Sequence, residues 1–432
     1  MSLHDLERLV ESVPGPRSKR LALQLRAHES RNVTYLSEDF PVFWESASGA
    51  TVTDVDGNRY IDCTAAFGVA NAGHCNPRVT AAVLEQVERL VHGMGDVHPS
   101  AIRVRLFERL SQILPKGLDR IFLATTGSEA IEAALKTAML YTGKTRFAAY
   151  RGGYHGLSFG ALAVGGIDRF RAPFAAALGS EPLLLDFPKA DGTLKAAEAA
   201  SETNRRLSER DDIAALVVEP IQGRAGIILP PPGYLRALRA VCDERQIVMI
   251  VDEIYTGFGR TGAWFAVERE GVVPDILCIG KAMGSGFPIS AAAGRLQVMD
   301  AWPISSGEAL HTSTYLGHPV GCAAAVATID EIERLQLPER ARRLGSELGS
   351  RLRELSSRGI VEVRGRGFLW GIAFHDAELA AAVVKRALRA GAIFLQSGIR
   401  GEVIAISPPL VMGEEQLARA LEILKVAIEE TA

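Results

Sequence analysis

Residues 275–294 read DILCIGKAMGSGFPISAAAG, and the fold turns on this stretch. The apolar run Ile276–Ile279 has the composition of a buried strand, and it ends in Gly280 and Lys281. Gly and Ser follow, then Pro288 and a run of alanines. A lysine after a strand is most often a surface residue that snorkels to water. Here almost no bulky neighbour lies downstream, so this lysine is poorly placed for solvent. Desolvation favours the neutral amine, the form that attacks a carbonyl carbon.

The surrounding segments repeat the pattern. AALVV (214–218) ends at Glu219-Pro220, and IVMIV (247–251) ends at Asp252-Glu253, with a helix expected over Tyr234 to Arg245 between them. Continuous apolar strands alternating with helices predict a parallel sheet covered on both faces. Ligands of such sheets sit at the carboxyl ends of the strands. Glu219, Asp252 and Lys281 are therefore expected on one edge. Further upstream a strand over Ile121–Ala124 runs into Thr125-Thr126-Gly127-Ser128, then a helix over Glu129–Tyr141 closed by Gly143. The glycine allows close backbone approach, and N–H groups at a helix start suit a phosphate. A strand near Arg146–Tyr150 leads into GGYHGLSFG (152–160).

The 432 residues, 47% of them hydrophobic, are enough for two or three domains at about 150 residues each. Helices are expected over 3–13, 21–29, 77–92 and 101–114. A hairpin is expected over 43–62, turning at Asp56-Gly57-Asn58. After His318-Pro319 come a long Ala-rich helix to about residue 335 and a charged helix to about 358. Short strands, further helices and a last helix over 414–429 complete a smaller α/β unit. A net charge of −3 gives no electrostatic reason for a nucleic-acid or anionic-membrane partner. Five cysteines without CxxC spacing suit reduced thiols and argue against a disulfide framework or a metal site. No run of about 18 apolar residues suggests a membrane span. The mixed-charge start lacks an apolar leader, so a cytoplasmic location is expected.

A phosphate site, an acid for a pyridine nitrogen and an imine-forming amine together describe pyridoxal 5'-phosphate, whose protein signature is a lysine Schiff base with an acidic pyridinium partner. Six motifs then occur in order: TTGSEAIEAALKTA (125–138), YHG (154–156), EPIQG (219–223), VDEIYTGFGRTG (251–262), GKAMGSGFP (280–288) and HTSTYLGHP (311–319). In this order they resemble the class III (omega) aminotransferases of PLP fold type I. PGPRS (14–18) and DVDGNRYID (54–62) look like the subgroup of 4-aminobutyrate aminotransferases and related amino-acid racemases. The resemblance implies an α/β fold, with a large domain whose mostly parallel sheet is flanked by helices and a smaller α/β domain. It places a cofactor-binding domain at 63–318 and the small domain at 319–432, with 1–62 joining the small one. Lys281 is then the Schiff-base lysine and proton carrier, and Asp252 the partner of the pyridine nitrogen. Gly127 and Ser128 bind phosphate through backbone N–H groups. Tyr154 stacks on the ring, with Ile254 on its other face, while His155 and Glu219 support the site. Thr314 reaches the phosphate of a neighbouring subunit, which implies a homodimer with shared active sites. An amino acid or amine is the donor and a 2-oxo acid the acceptor. An amino-acid racemase or epimerase uses the same scaffold and the same lysine and stays open.

Two motifs point elsewhere. GFGRTG (257–262) matches a dinucleotide fingerprint but opens no clear helix. GLSFG (156–160), with His311 and His318 downstream, matches a hydrolase nucleophile elbow, but no strand runs directly into Ser158. Four positions depart from the family pattern. Leu157 stands where an arginine often follows YHG, Arg224 replaces the glutamate after EPIQG, Tyr255 replaces a frequent glutamine, and Ala405 replaces an arginine of relatives that use glutamate. Arg224 is therefore expected to bind the substrate carboxylate, with Arg400 the next candidate.

Overall fold

The continuous apolar runs lie at the centre of the molecule. Ile213–Val218, Val248–Asp252 and Ile276–Ile279 are strands in which every residue is buried, as helices on both faces require. The computed structural model describes residues 12–34, 41–355 and 359–431. In it the three strands lie side by side and parallel. Arg146–Tyr150 and Leu183–Leu185 extend the sheet in parallel on one side. On the other side Ser290–Gly294 and Arg120–Ala124 complete seven strands, with Ser290–Gly294 antiparallel to both its neighbours. The alanine run after Pro288 is thus a central strand, which its composition does not announce because alanine has little β preference. It is a strand because Ala291, Ala292 and Ala293 are fully buried in a narrow layer beneath the helix Gly127–Thr142.

That helix has strong local reasons to start and stop where it does. Thr126 and Glu129 form a reciprocal capping box, and Gly143 ends the helix in the left-handed region at φ 69°. Its inner face is mostly small, with Ala130, Ala133, Ala134 and Ala138 buried, so it rides close over the sheet. The helix expected over 21–29 spans Pro16–His28, with proline in its first turn. The helix expected over 77–92 ends at Arg89. The helix expected over 3–13 lies, but for its last two residues, outside the described residues, as do residues 356–358 at the end of the charged helix, seen here as Leu337–Arg353.

Two smaller sheets flank the central one. Trp44–Ser48, Thr51–Asp54 and Arg59–Asp62 form an antiparallel meander, and Ala392–Ile393 adds to it in parallel. Ile360–Arg366, Leu369–Phe374, Val403–Ile406 and Leu395–Ser397 form the other, fully antiparallel sheet. The helix Pro319–Arg334 packs on the helices Pro77–Arg89 and Ala101–Ile113 and on the turn Lys281–Gly284, bracing the lysine turn from outside.

The GFGRTG segment is a run of turns, with no helix of its own. Its arginine explains its presence. Arg260 is fully buried. It donates to the carbonyls of Phe368 at 3.0 Å and Pro408 at 2.5 Å and to Asn71 Oδ1. One guanidinium thus ties three distant segments together, and burial pulls its pKa down to about 10. Replacing Arg260 by methionine leaves these acceptors buried without donors. At about 1–3 kcal/mol for each orphaned group, Arg260→Met is expected to cost at least about 3 kcal/mol, read as a lower urea midpoint of unfolding.

Candidate active site

Lys281 leaves the Ile276–Ile279 strand in an unusual way. Its φ is +43°, a left-handed conformation that costs a non-glycine residue roughly 1–2 kcal/mol. Strain of this kind collects at functional sites, where surrounding structure over-determines it. The next turn, Lys281–Gly284, is a 3₁₀ segment in which Met283 N donates to Gly280 O at 3.0 Å. The lysine is half-buried. Its Nζ has no hydrogen-bond or ion-pair partner among the described residues and lies 5.1 Å from the centre of the Tyr255 ring. Burial lowers its pKa, and the carboxylates of Asp252 and Glu219 hold back part of that fall.

The two carboxylates sit at the ends of the neighbouring strands, both buried. Asp252 is held on both oxygens. Oδ1 accepts from Ile254 N at 3.0 Å, and Oδ2 accepts from His155 Nδ1 at 2.8 Å. Burial disfavours the protonated imidazole, but the bond to Asp252 and the charges of Asp252 and Glu219 outweigh it and raise the His155 pKa. Glu219 accepts from Tyr154 N at 2.9 Å and from Gly223 N at 3.0 Å. Burial pushes its pKa up to about 7, His155 pulls it back, and the Asp252 charge adds to the rise. Three strand ends thus bring two carboxylates and an amine to one edge, with a buried histidine behind them.

The helix Gly127–Thr142 points its N-terminus at the same place. Glu129 takes the amides of Thr125 at 2.7 Å and Thr126 at 3.2 Å. The amides of Gly127 and Ser128 have no protein acceptor among the described residues and remain for an anion. A methyl group on Gly127 would come within 2.7 Å of Ile254 Cδ1, so only glycine lets the helix end and Ile254 approach this closely. The Ser128 side chain has a second task that the motif does not reveal. Its Oγ accepts from Leu157 N at 3.1 Å and Ser158 N at 3.4 Å, clamping the loop that carries Tyr154 and His155. Ser158 Oγ donates to Glu132 at 2.9 Å, and no strand runs into Ser158. The nucleophile-elbow geometry is absent.

Tyr154 is half-buried, with its ring edge-on to Phe170 at 5.8 Å. Arg224 lies over the other end of this cluster, 5.9 Å from the centre of the Phe170 ring, and donates to Gly398 O at 2.8 Å. It has no carboxylate within ion-pair distance among the described residues. Burial, then the nearby Arg169, lowers its pKa. Ala405 is buried in an apolar cluster with Ile221, Ile227 and Leu369, against which Tyr255 packs. Thr314 and Arg400 are exposed, and neither joins the Lys281 group within this chain. Among the described residues no group of histidine, cysteine or acidic side chains could hold a metal ion, and no helix is long and apolar enough to cross a membrane.

Comparison with known proteins converges on one family. The family described as Aminotransferase class-III matches residues 34–428. An acetylornithine aminotransferase of Methanopyrus kandleri is 41% identical over 392 residues, which cover 90% of this chain and 95% of that one. A putrescine aminotransferase of Pectobacterium atrosepticum is 37% identical, over 93% of this chain and 85% of that one. Among solved structures, a PLP-bound amine transaminase from an uncultivated Pseudomonas species superposes with a TM-score of 0.87 at 30% identity, covering 94% of this chain and 99% of that one. The ornithine aminotransferase of Toxoplasma gondii superposes with a TM-score of 0.85 at 30% identity, covering 96% and 95%.

Glu219 gives the cofactor-free chain a defined pH response. Its folded pKa of about 7 lies above its ordinary value of 4.5. Its favourable share of stability is therefore present below pH 4.5 and lost as pH rises through 7. Glu219→Gln is expected to remove a decline of up to roughly 3 kcal/mol across that window. Glu253, also pushed up to about 7 by burial, leaves a residual slope. Urea midpoints at pH 5, 6 and 7 measure the difference between the two proteins.

Proposed function

This chain belongs to the class-III aminotransferases, and on that premise we propose that its Lys281 edge binds pyridoxal 5'-phosphate and transfers an amino group from an amino acid or amine to a 2-oxo acid. The observation that carries the reading is Lys281 itself. It is an amine with depressed pKa and no hydrogen-bond partner among the described residues, set beside two buried carboxylates. The relatives matched at 37–41% identity are aminotransferases, which favours transfer over the racemase reading of the same scaffold.

The residues present suit the cofactor. The free amides of Gly127 and Ser128 would take its phosphate, and Asp252, held by His155 and Ile254 N, would take its pyridine nitrogen. Ile254 and Tyr154 would flank the ring. When bound, the cofactor supplies an aldehyde that condenses with amines and a cationic ring that accepts the electron pair left at Cα. Everything else falls to the chain. Lys281 Nζ, shifted by burial toward its neutral form, would take the proton from the substrate Cα and hold it for return. His155 stays a donor to Asp252 and so keeps that carboxylate oriented. Glu219 anchors the Tyr154 and Gly223 amides and holds the loop walls apart at a fixed distance. Arg224, with no carboxylate within ion-pair distance among the described residues, would receive the substrate carboxylate in a bidentate fork. The reaction runs in two half-reactions, the donor leaving before the acceptor binds.

The site is read as one of a pair. Leu84, Val87, Leu90, Val91, Met94 and Val97 are exposed large apolar residues on one segment, a surface that suits burial against another protein copy. His92 within it touches the rings of Tyr315 and His318, so the Thr314 loop borders the same face. A homodimer formed there would carry Thr314 to the partner's phosphate. The five cysteines are all unpaired, which accords with a reducing cytoplasm.

Lys281→Ala is expected to abolish the visible absorbance of the loaded enzyme and nearly all turnover, and a variant that keeps both refutes the assignment. Arg224→Ala is expected to raise KM for carboxylate substrates by roughly 10- to 150-fold, the equivalent of about 1.5–3 kcal/mol for a bond to a charged group. An amine donor without a carboxylate should be much less affected in its own half-reaction. Equal, small effects on both substrate types would remove Arg224 from the site.

A further inference from the structure

Tyr255 has no part in the assignments above, yet it is the side chain that Lys281 Nζ faces. It is half-buried, and its ring fills a slot between two glycines. A methyl group at Gly68 would stand 2.5 Å from Tyr255 Cε2, and one at Gly223 would stand 2.5 Å from Cδ1. Gly68 (φ 76°) closes a turn in which Ala65, Ala66 and Phe67 also have positive φ, at 47°, 48° and 62°. L-residues resist that conformation, so the turn depends on what it packs against. The Tyr255 hydroxyl donates to Ser407 Oγ at 3.0 Å, and Ser407 Oγ donates to Thr64 O at 3.1 Å, which ties the ring to the start of the same turn. The apolar cluster of Ile221, Ile227, Leu369 and Ala405 backs it. With its edges and tip occupied, the ring is left with a face for the amine, 5.1 Å from its centre.

We propose that Tyr255 is a positioning residue for Lys281: the wedged ring sets where Nζ sits, and its electron-rich face favours the ammonium form of the free amine. A cation within about 6 Å of an aromatic centre is attracted by the ring quadrupole. The inference rests on the assignment of Lys281 and goes beyond it. The other groups acting on Nζ are Asp252 and Glu219 at the neighbouring strand ends, with His155 bonded to Asp252 from its loop. Arg260 acts on the Tyr255 hydroxyl from its turn. Substituting the ring leaves all of these in place.

The test follows the pH midpoint of Lys281 acylation by an amine-reactive reagent in the cofactor-free full-length chain, read by peptide mass. The pH dependence of visible absorbance of the loaded enzyme is recorded beside it. Tyr255→Phe keeps the face and is expected to keep the midpoint. Tyr255→Leu removes the face and is expected to lower the midpoint by about one pH unit. Gly223→Ala, whose added methyl displaces the ring, is expected to lower it in the same direction and decides alone where Tyr255→Leu does not fold. Midpoints unchanged or raised in Tyr255→Leu and Gly223→Ala overturn the inference while leaving Lys281 in place. A Lys281→Ala variant that keeps the visible absorbance of the loaded enzyme overturns the Lys281 assignment and this inference together.

Discussion

The removal of three ionisable groups from water at one sheet edge is the constraint that the rest of this structure answers. Glu219, Asp252 and Lys281 end adjacent parallel strands, where the two carboxylates are buried and the lysine half-buried. Each charge there needs a partner, a proton shift, or a bound ligand. Asp252 has partners on both oxygens and a histidine that burial alone would neutralise. Glu219 is pushed toward protonation. Lys281 is pushed toward the neutral amine. The edge therefore holds an amine shifted toward its neutral form beside a fixed carboxylate, an arrangement suited to moving a proton.

The surrounding elements are shaped by how close they must come to that edge. The helix Gly127–Thr142 lies low because its inner face is mostly alanine, and its glycine start meets Ile254 with no room for a methyl group. The Ser290–Gly294 strand beside Lys281 is equally small, and Ser290 Oγ donates to Thr126 O at 2.6 Å, fastening the lysine's strand pair to the helix start. Larger side chains stand beside it, Tyr255 with its ring centre 5.1 Å from Lys281 Nζ and Tyr154 edge-on to Phe170. The site is thus a small-residue floor with aromatic sides.

The substrate side is built differently from the cofactor side. The residues proposed to hold the cofactor come from strand ends and a helix terminus, positions that the covered sheet holds rigidly. Arg224, Tyr255 and Ala405 come from turns and from the flanking sheet, where one segment rests on another. Tyr255 packs against the apolar cluster that contains Ala405, and Arg224 lies over the Phe170 ring.

The alternation of apolar runs with helices, and the ionisable residue closing each run, are local properties, so the α/β class and the Glu219, Asp252 and Lys281 edge were legible from residue order alone. The glycine that closes the Gly127–Thr142 helix was legible for the same reason, since a C-cap is a contact between neighbours in the chain, whereas its capping box at Thr126 and its start two residues before the expected Glu129 were not read. The alanine strand Ser290–Gly294 was not, because its state is set by the layer it is buried in and not by its own preference. Arg260 matched a nucleotide motif in the sequence and turned out to be a buried tie between residues about 110 to 190 positions away, by sequence separations of 108, 148 and 189. The placement of Tyr255 between Gly68 and Gly223, with its face to Lys281, is of the same kind. Sequence determines what each segment can form; only the packing of distant segments decides which side chains share a dry space, because desolvation depends on everything that surrounds a group and not on its neighbours along the chain.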